Sequence, residues 1–163
     1  MKKVILFLLF AVVSMGAFAQ VEKGTKYVNA SLSGFGLSYS KVPGFCMNIE
    51  AGGGYFIANS WMLKGLIGWE HTGGANEFNL GAGARYYVKD NGLFFGGDVR
   101  YGLNNAGGGA ETAHNAYLAP VVGYCFYLND HVSIEPSLYV DMCLNHFKDY
   151  TKVGLKLSFG YYF

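Results

Sequence analysis

Residues 153–163 read Val-Gly-Leu-Lys-Leu-Ser-Phe-Gly-Tyr-Tyr-Phe. Val153, Leu155, Leu157, Phe159, Tyr161 and Phe163 share one parity; Gly154, Lys156, Ser158, Gly160 and Tyr162 share the other. Alternation with period two over this length specifies a β-strand with two unlike faces. One face carries only large apolar and aromatic side chains. The charge, the serine and the glycines all fall on the other.

The same alternation recurs upstream. Residues 132–144 place Val132, Ile134, Pro136, Leu138, Val140, Met142 and Leu144 against Ser133, Glu135, Ser137, Tyr139, Asp141 and Cys143. Residues 78–88 place Phe78, Leu80, Ala82, Ala84, Tyr86 and Val88 against Asn79, Gly81, Gly83, Arg85 and Tyr87. A second regularity marks the strand ends. Tyr55-Phe56-Ile57, Tyr86-Tyr87-Val88, Phe126-Tyr127-Leu128 and Tyr161-Tyr162-Phe163 share two aromatics followed by an apolar or aromatic residue. The first three precede turn-forming triplets, Ala58-Asn59-Ser60, Lys89-Asp90-Asn91 and Asn129-Asp130-His131. This repeat predicts eight strands near 27–39, 45–57, 61–71, 77–88, 92–103, 115–128, 132–144 and 152–163. They run to about twice the ~5–6 residues of an ordinary strand. A tilted membrane-spanning strand needs about 9–11 residues in the hydrocarbon, so these are long enough to cross.

Composition sharpens the choice. The 163 residues are 52% hydrophobic, 17% aromatic and 14% charged, with 24 glycines and a net charge of +1. So apolar a chain is not disordered, and so neutral a one presents no basic face to nucleic acid. Met1-Lys2-Lys3, the apolar run Val4 to Ala17, and Ala17-Phe18-Ala19 before Gln20 have the three parts of a cleavable secretory signal peptide. We expect a signal peptide over 1–19 and one domain over 20–163, whose net charge is −1 without Lys2 and Lys3. The apolar run is too short for a spanning helix, and no later run is longer. No cysteine at the cleavage site invites a lipid anchor.

In a soluble barrel the large apolar face points inward and the charged face meets water. An eight-stranded barrel has room inside only for side chains, and small residues with a few charges fit that space. Rows of Leu, Phe and Tyr on every strand suit a lipid-facing skin. Tyr55, Trp61, Tyr86, Phe126, Tyr161 and Phe163 form one expected interfacial girdle; Trp69, Phe78 and Tyr101 lie toward the other. Three-residue turns alternate with connections expected to be longer, near 40–44, 72–76, 104–114 and 145–151. The first strand breaks phase: Val28, Ala30 and Leu32 have one parity, Phe35, Leu37 and Tyr39 the other. Either a bulge at Gly34 and Gly36 restores it, or three large residues point into the barrel. A soluble, exported lipid-binding barrel is the alternative at the level of the fold.

The signal peptide, the alternating strands and the ending Phe159-Gly160-Tyr161-Tyr162-Phe163 resemble the small eight-stranded outer-membrane β-barrels, the OmpX/OmpA-type barrels and the broad outer membrane protein β-barrel domain family with its loose porin-like label. The resemblance spans 20–163, with no peptidoglycan-binding domain expected after the barrel. It implies an all-β, antiparallel, up-and-down transmembrane barrel in the outer membrane of a Gram-negative cell envelope. It also implies outer-membrane lipid, the outer-membrane assembly machinery and periplasmic chaperones as partners, with any extracellular ligand unknown. Leu155, Leu157, Phe159, Tyr161 and Phe163 look like the C-terminal assembly signal of such barrels.

Phase places nine charges inside: Glu50, Lys64, Glu70, Arg85, Asp98, Arg100, Glu135, Asp141 and Lys156. Charges removed from water must pair. A salt-bridge network that fills the barrel is expected, in preference to a gated ion path or a small-solute porin. The rival class is a lipid-A-modifying enzyme built on His71 or His146 with Glu70 or Asp141. No serine is forced beside either histidine, and His114 and His131 fall in a loop and a turn. No HExxH or cysteine-rich spacing points to a metal, and Gly52-Gly53-Gly54 and Gly107-Gly108-Gly109 lack a phosphate loop's strand-to-helix setting. The expected role is therefore structural or interfacial (membrane integrity, adhesion or display), without catalysis, cofactor or metal. Cys46, Cys125 and Cys143 share the inward phase, and free buried thiols are expected.

Overall fold

The computed structural model describes residues 21–39, 46–72, 75–89, 91–105, 113–145 and 151–163. The expected signal peptide lies outside the described residues, as do Gly107-Gly108-Gly109 and His146. The segments are β1 (Lys26–Tyr39), β2 (Cys46–Ala58), β3 (Trp61–Thr72), β4 (Ala75–Tyr87), β5 (Leu93–Asn105), β6 (Ala113–Tyr124), β7 (Phe126–Tyr127), β8 (Val132–Cys143) and β9 (Lys152–Tyr162). β6 and β7 are one stave interrupted at Cys125, so nine segments make eight staves. Their hydrogen-bonded order is β6-β5-β4-β3-β2-β1-β9-β8-β7, and the additional β6–β8 pairing closes the sheet on itself. Every pairing is antiparallel. The chain is a closed eight-stranded up-and-down barrel.

Alternation decides which side of each stave is out. In β9, burial switches at every residue from Lys152 to Tyr162. Leu155, Leu157, Phe159 and Tyr161 are exposed, while Lys156 and Ser158 are buried. The apolar side chains that a water-soluble barrel would bury therefore form the exterior of this one. Ile67, Leu80 and Val99 extend the same skin around the girth, with Val99 60% exposed.

The repeated aromatic pairs divide between the two sides. Tyr55, Tyr86 and Tyr161 are exposed; Phe56, Tyr87 and Tyr162, one residue on, are fully buried. The outward members, with Trp61 tilted against Tyr86 at 5.1 Å, belt the barrel at its short-turn end. The inward members join Tyr27, Met62 and Phe94 in an apolar cluster across the same end. Trp69 and Phe78 are directly paired and exposed toward the opposite end, as is Tyr101.

The ends are closed by local chemistry. Asn129 Oδ1 accepts from the backbone N–H groups of His131 and Val132, each at 2.8 Å, which fixes the turn before β8. Ser60 takes a left-handed φ of 69° in the β2–β3 turn. Its N–H donates to Val21 O at 2.7 Å, tying the segment ahead of β1 beneath the barrel, where Val21 is buried.

The connections expected over 72–76 and 104–114 are shorter, because pairing runs to Thr72↔Ala75 and Asn104↔Ala113. In β1 the pairing with β9 jumps from Ser33↔Lys156 to Ser38↔Gly154. Three more residues intervene on β1 than on β9, an odd number, so the parity of the strand switches at this irregularity. Gly34, with φ 97°, stands at its start.

Candidate functional site

The chemistry of this chain is concentrated inside the barrel. All nine charges expected there are buried: Glu50, Lys64, Glu70, Arg85, Asp98, Arg100, Glu135, Asp141 and Lys156. Closure brings them together across large sequence separations and sorts them into three levels.

At the short-turn end, Arg85 Nη1 donates to Glu135 Oε2 at 2.7 Å. Glu135 also accepts from Tyr27 and Tyr162 hydroxyls at 2.8 and 2.9 Å and from Ser133 at 2.9 Å. The guanidinium stands 4.6 Å from the centre of the Phe94 ring. Removed from water, such a pair needs its other donors and acceptors met; here four N–H and O–H donors converge on one carboxylate, while Arg85 Nε has no protein partner. The aromatic cluster surrounds this pair.

At mid-height, Lys64 Nζ pairs with Asp98 Oδ2 at 2.8 Å. Lys156 Nζ lies 3.0 Å from Glu50 Oε2, Arg100 lies 4.0 Å from the same oxygen, and Arg100 also pairs with Asp141. The chain Lys156–Glu50–Arg100–Asp141 thus links β9, β2, β5 and β8. Glu50 Oε1, Asp98 Oδ1, Arg100 Nε and Ser158 Oγ have no protein partner, the kind of buried group that holds ordered water.

Toward the long-loop end, Lys152 pairs with Glu70. Two buried charges at this level, Glu77 and Lys152, are not among the nine read from the sequence. Each opens or nearly opens a strand, where periodicity does not separate an interior position from a rim. The described interior then holds five bases against six carboxylates, Glu77 being the sixth.

Glycine makes this packing possible. Arg100 faces Gly81 and Arg85 faces Gly96 across β4 and β5. A Cβ on Gly81 would stand 2.7 Å from Arg100 Cγ, and one on Gly96 2.9 Å from Arg85 Cγ. Long charged side chains occupy room that their cross-strand neighbours leave empty. Gly52 and Gly54 are packing positions of this kind: a Cβ on Gly54 would stand 2.7 Å from Met62 Sδ.

Among the described residues, which do not include His146, the histidine-centred catalytic alternative does not assemble. Glu70 and Asp141 point inward, whereas His71, next to Glu70 in β3, lies on the opposite face, stacked on Trp69 with Nδ1 2.9 Å from Asn76 Oδ1. His114 meets the Tyr101 hydroxyl at 2.8 Å, and His131 meets Tyr162 O at 3.1 Å; neither touches a carboxylate. Cys125 and Cys143 are free and buried, while the side chain of Cys46 lies outside the described residues. Cys125 Sγ lies 3.4 Å from the Tyr162 hydroxyl near the floor, and Cys143 pairs with Tyr117 toward the other end. Leu155, Leu157, Phe159, Tyr161 and Phe163 are all exposed on the exterior.

No family model matches the sequence, and no curated protein matches it significantly. Solved structures do resemble it in fold. The N-terminal β-barrel domain of Pseudomonas aeruginosa OprF superposes with a TM-score of 0.68 at 13% identity, over 86% of this chain and 98% of that one. Neisserial surface protein A gives a TM-score of 0.61 at 14% identity, over 85% and 96%. Ail, the attachment invasion locus protein of Yersinia pestis, solved with the heparin analogue sucrose octasulfate, gives 0.57 at 16% identity, over 86% and 99%. The fold is that of the small eight-stranded outer-membrane β-barrels.

Proposed function

We propose that this chain is an integral outer-membrane barrel whose interior is filled by side chains, with a structural or surface-interaction role in membrane integrity, adhesion or display. The observation that carries this reading is the inversion of its two faces: Leu, Ile, Val, Phe and Tyr outside, and paired charges, serines and asparagines within. Water on the outside of such a barrel would leave an apolar surface far larger than a soluble monomer exposes. Lipid removes that cost. The belts of Trp61 and Tyr86 at one end and Trp69 and Phe78 at the other fit the two membrane interfaces.

The plugged interior is supported by the aromatic cluster and the Arg85–Glu135 pair across the short-turn end, and by the ion pairs above them. Eight staves leave a lumen that side chains fill; water-filled channels belong to barrels of many more strands. In planar bilayers the folded protein should give no stable nanosiemens openings, and steady openings of that size would overturn the plug. In cell fractions the protein should require detergent for extraction; free release by osmotic shock would favour the soluble lipid-binding alternative. A deletion strain should keep its lipid A acyl pattern, since no histidine meets a carboxylate among the described residues. Leu155 to Phe163 would carry the assembly signal, so Phe163→Ser should reduce folded barrel in the outer membrane.

A further inference from the structure

We propose that the interior at the long-loop end is a binding site for a hard, oxygen-ligated cation of the calcium or magnesium kind, held by Glu77 and Asn79. The argument begins with charge. Every other buried carboxylate of the described interior has a basic partner: Asp98 has Lys64, Glu135 has Arg85, Glu70 has Lys152, and Glu50 and Asp141 share Arg100. Glu77, only 7% exposed, has none. Its Oε2 is held by neutral donors: Asn115 Nδ2 at 3.1 Å, Asn104 Nδ2 at 3.4 Å and the Tyr117 hydroxyl at 3.0 Å. These fix the carboxylate in place and leave its charge standing, which is costly in so dry a setting.

The second observation is Asn79. It is 3% exposed, and among the described residues its side chain makes no hydrogen bond. An interior amide without a protein partner is open to a ligand. Asn79 lies directly across from Gly102, and the missing Cβ of Gly102 leaves a cradle there. A Cβ in that position would be 2.5 Å from Glu77 Oε1 and 2.9 Å from Asn79 Oδ1. The two oxygens therefore converge on one point beside the Gly102 backbone. Glu70, the direct cross-strand partner of Glu77, is already paired with Lys152 and leaves Glu77 uncompensated.

Carboxylate and amide oxygens are the ligands that hard cations take, and calcium accepts them in irregular geometry with water completing the shell. The polar side-chain atoms that reach the cradle are oxygens, which favours hard cations over zinc and copper. The site requires only the barrel interior and is independent of what surrounds the exterior.

The test uses the full folded chain in a zwitterionic detergent, with terbium as luminescent calcium probe. Tyr117, whose hydroxyl is 3.0 Å from Glu77 Oε2, is positioned to sensitise it. Sensitised emission should saturate at one ion per chain and be displaced by calcium. Glu77→Gln should weaken terbium binding at least tenfold, while Glu22→Gln, an exposed acid outside the barrel, should leave it unchanged. If Glu77→Gln does not fold, Asn79→Leu and Asn79→Asp carry the test, with weaker and tighter binding respectively. Absence of sensitised emission, or equal binding by wild type and Glu77→Gln, would overturn the site. So would an infrared band of a protonated carboxylic acid that Glu77→Gln removes, with no terbium bound, because Glu77 would then need no cation.

Discussion

Removing the carboxylate of Glu135 should be the most damaging single change in the barrel interior. Glu135 is fully buried and accepts hydrogen bonds from Arg85 at 2.7 Å, Tyr27 at 2.8 Å, Ser133 and Tyr162 at 2.9 Å, and the Cys125 thiol at 3.8 Å. In Glu135→Leu the Arg85 guanidinium stays in place with no counter-charge. Its remaining neighbours are the Phe94 ring at 4.6 Å and the hydroxyls of Tyr27 and Tyr87 at 3.4 and 3.5 Å. An uncompensated buried charge costs about 3–5 kcal/mol. The hydroxyls that lose their acceptor add to this, and the ring face offsets about 2 kcal/mol at most. The expected loss is therefore about 3–5 kcal/mol. Arg85→Met should cost a similar amount for the opposite reason. Arg85→Met with Glu135→Leu removes both charges and should restore much of the loss, since apolar replacement of a whole buried pair is often neutral. Urea unfolding in lipid vesicles, followed by Trp61 and Trp69 fluorescence, supplies the four stabilities of a double-mutant cycle. A loss under about 1 kcal/mol for Glu135→Leu, or a coupling under about 0.5 kcal/mol, would refute the view that this pair anchors the floor.

Three further outcomes follow from the packing. Gly160→Ala should destabilise by about 1–3 kcal/mol, as overpacking does, whereas Gly97→Ala should be tolerated. The new Cβ at Gly160 would stand 2.5 Å from Ser133 Oγ and 2.6 Å from Tyr27 Cε2, while the one at Gly97 meets nothing within 4 Å; urea midpoints of the two variants provide the comparison. Val99→Arg, placed mid-height on the exterior, should cost about 2–4 kcal/mol in vesicles, and a change near zero would argue against a lipid-facing skin. In a Cys46→Ser background, Cys125 and Cys143, both buried, should resist maleimide in the folded barrel and react fully in urea, as mass spectrometry would register.

Much of this molecule was legible in the chain itself. A side-chain period of two is a local property, so Leu155, Leu157 and Phe159 could be assigned to one face and Lys156 and Ser158 to the other before any partner strand was known. The small triplets after Tyr55-Phe56, Tyr86-Tyr87 and Phe126-Tyr127 marked the reversals, because turn chemistry is also local. Together they fixed eight staves, an apolar exterior and a charged lumen.

What no local pattern carries is which inward residues meet. Lys156 reaches Glu50 across 106 positions and Lys152 reaches Glu70 across 82. Those contacts exist only because β1 pairs with β9 and β6 with β8, and the stagger of the closed barrel sets their heights. The same closure turned Phe56, Tyr87 and Tyr162 into a floor, although each stood in sequence beside an aromatic of the outer belt. It isolated Glu77 as well. Alternation assigns a face, whereas only the tertiary structure shows that, among the described residues, one inward carboxylate of six has no basic side chain paired with it, because charge compensation is a property of the assembled interior and not of any strand.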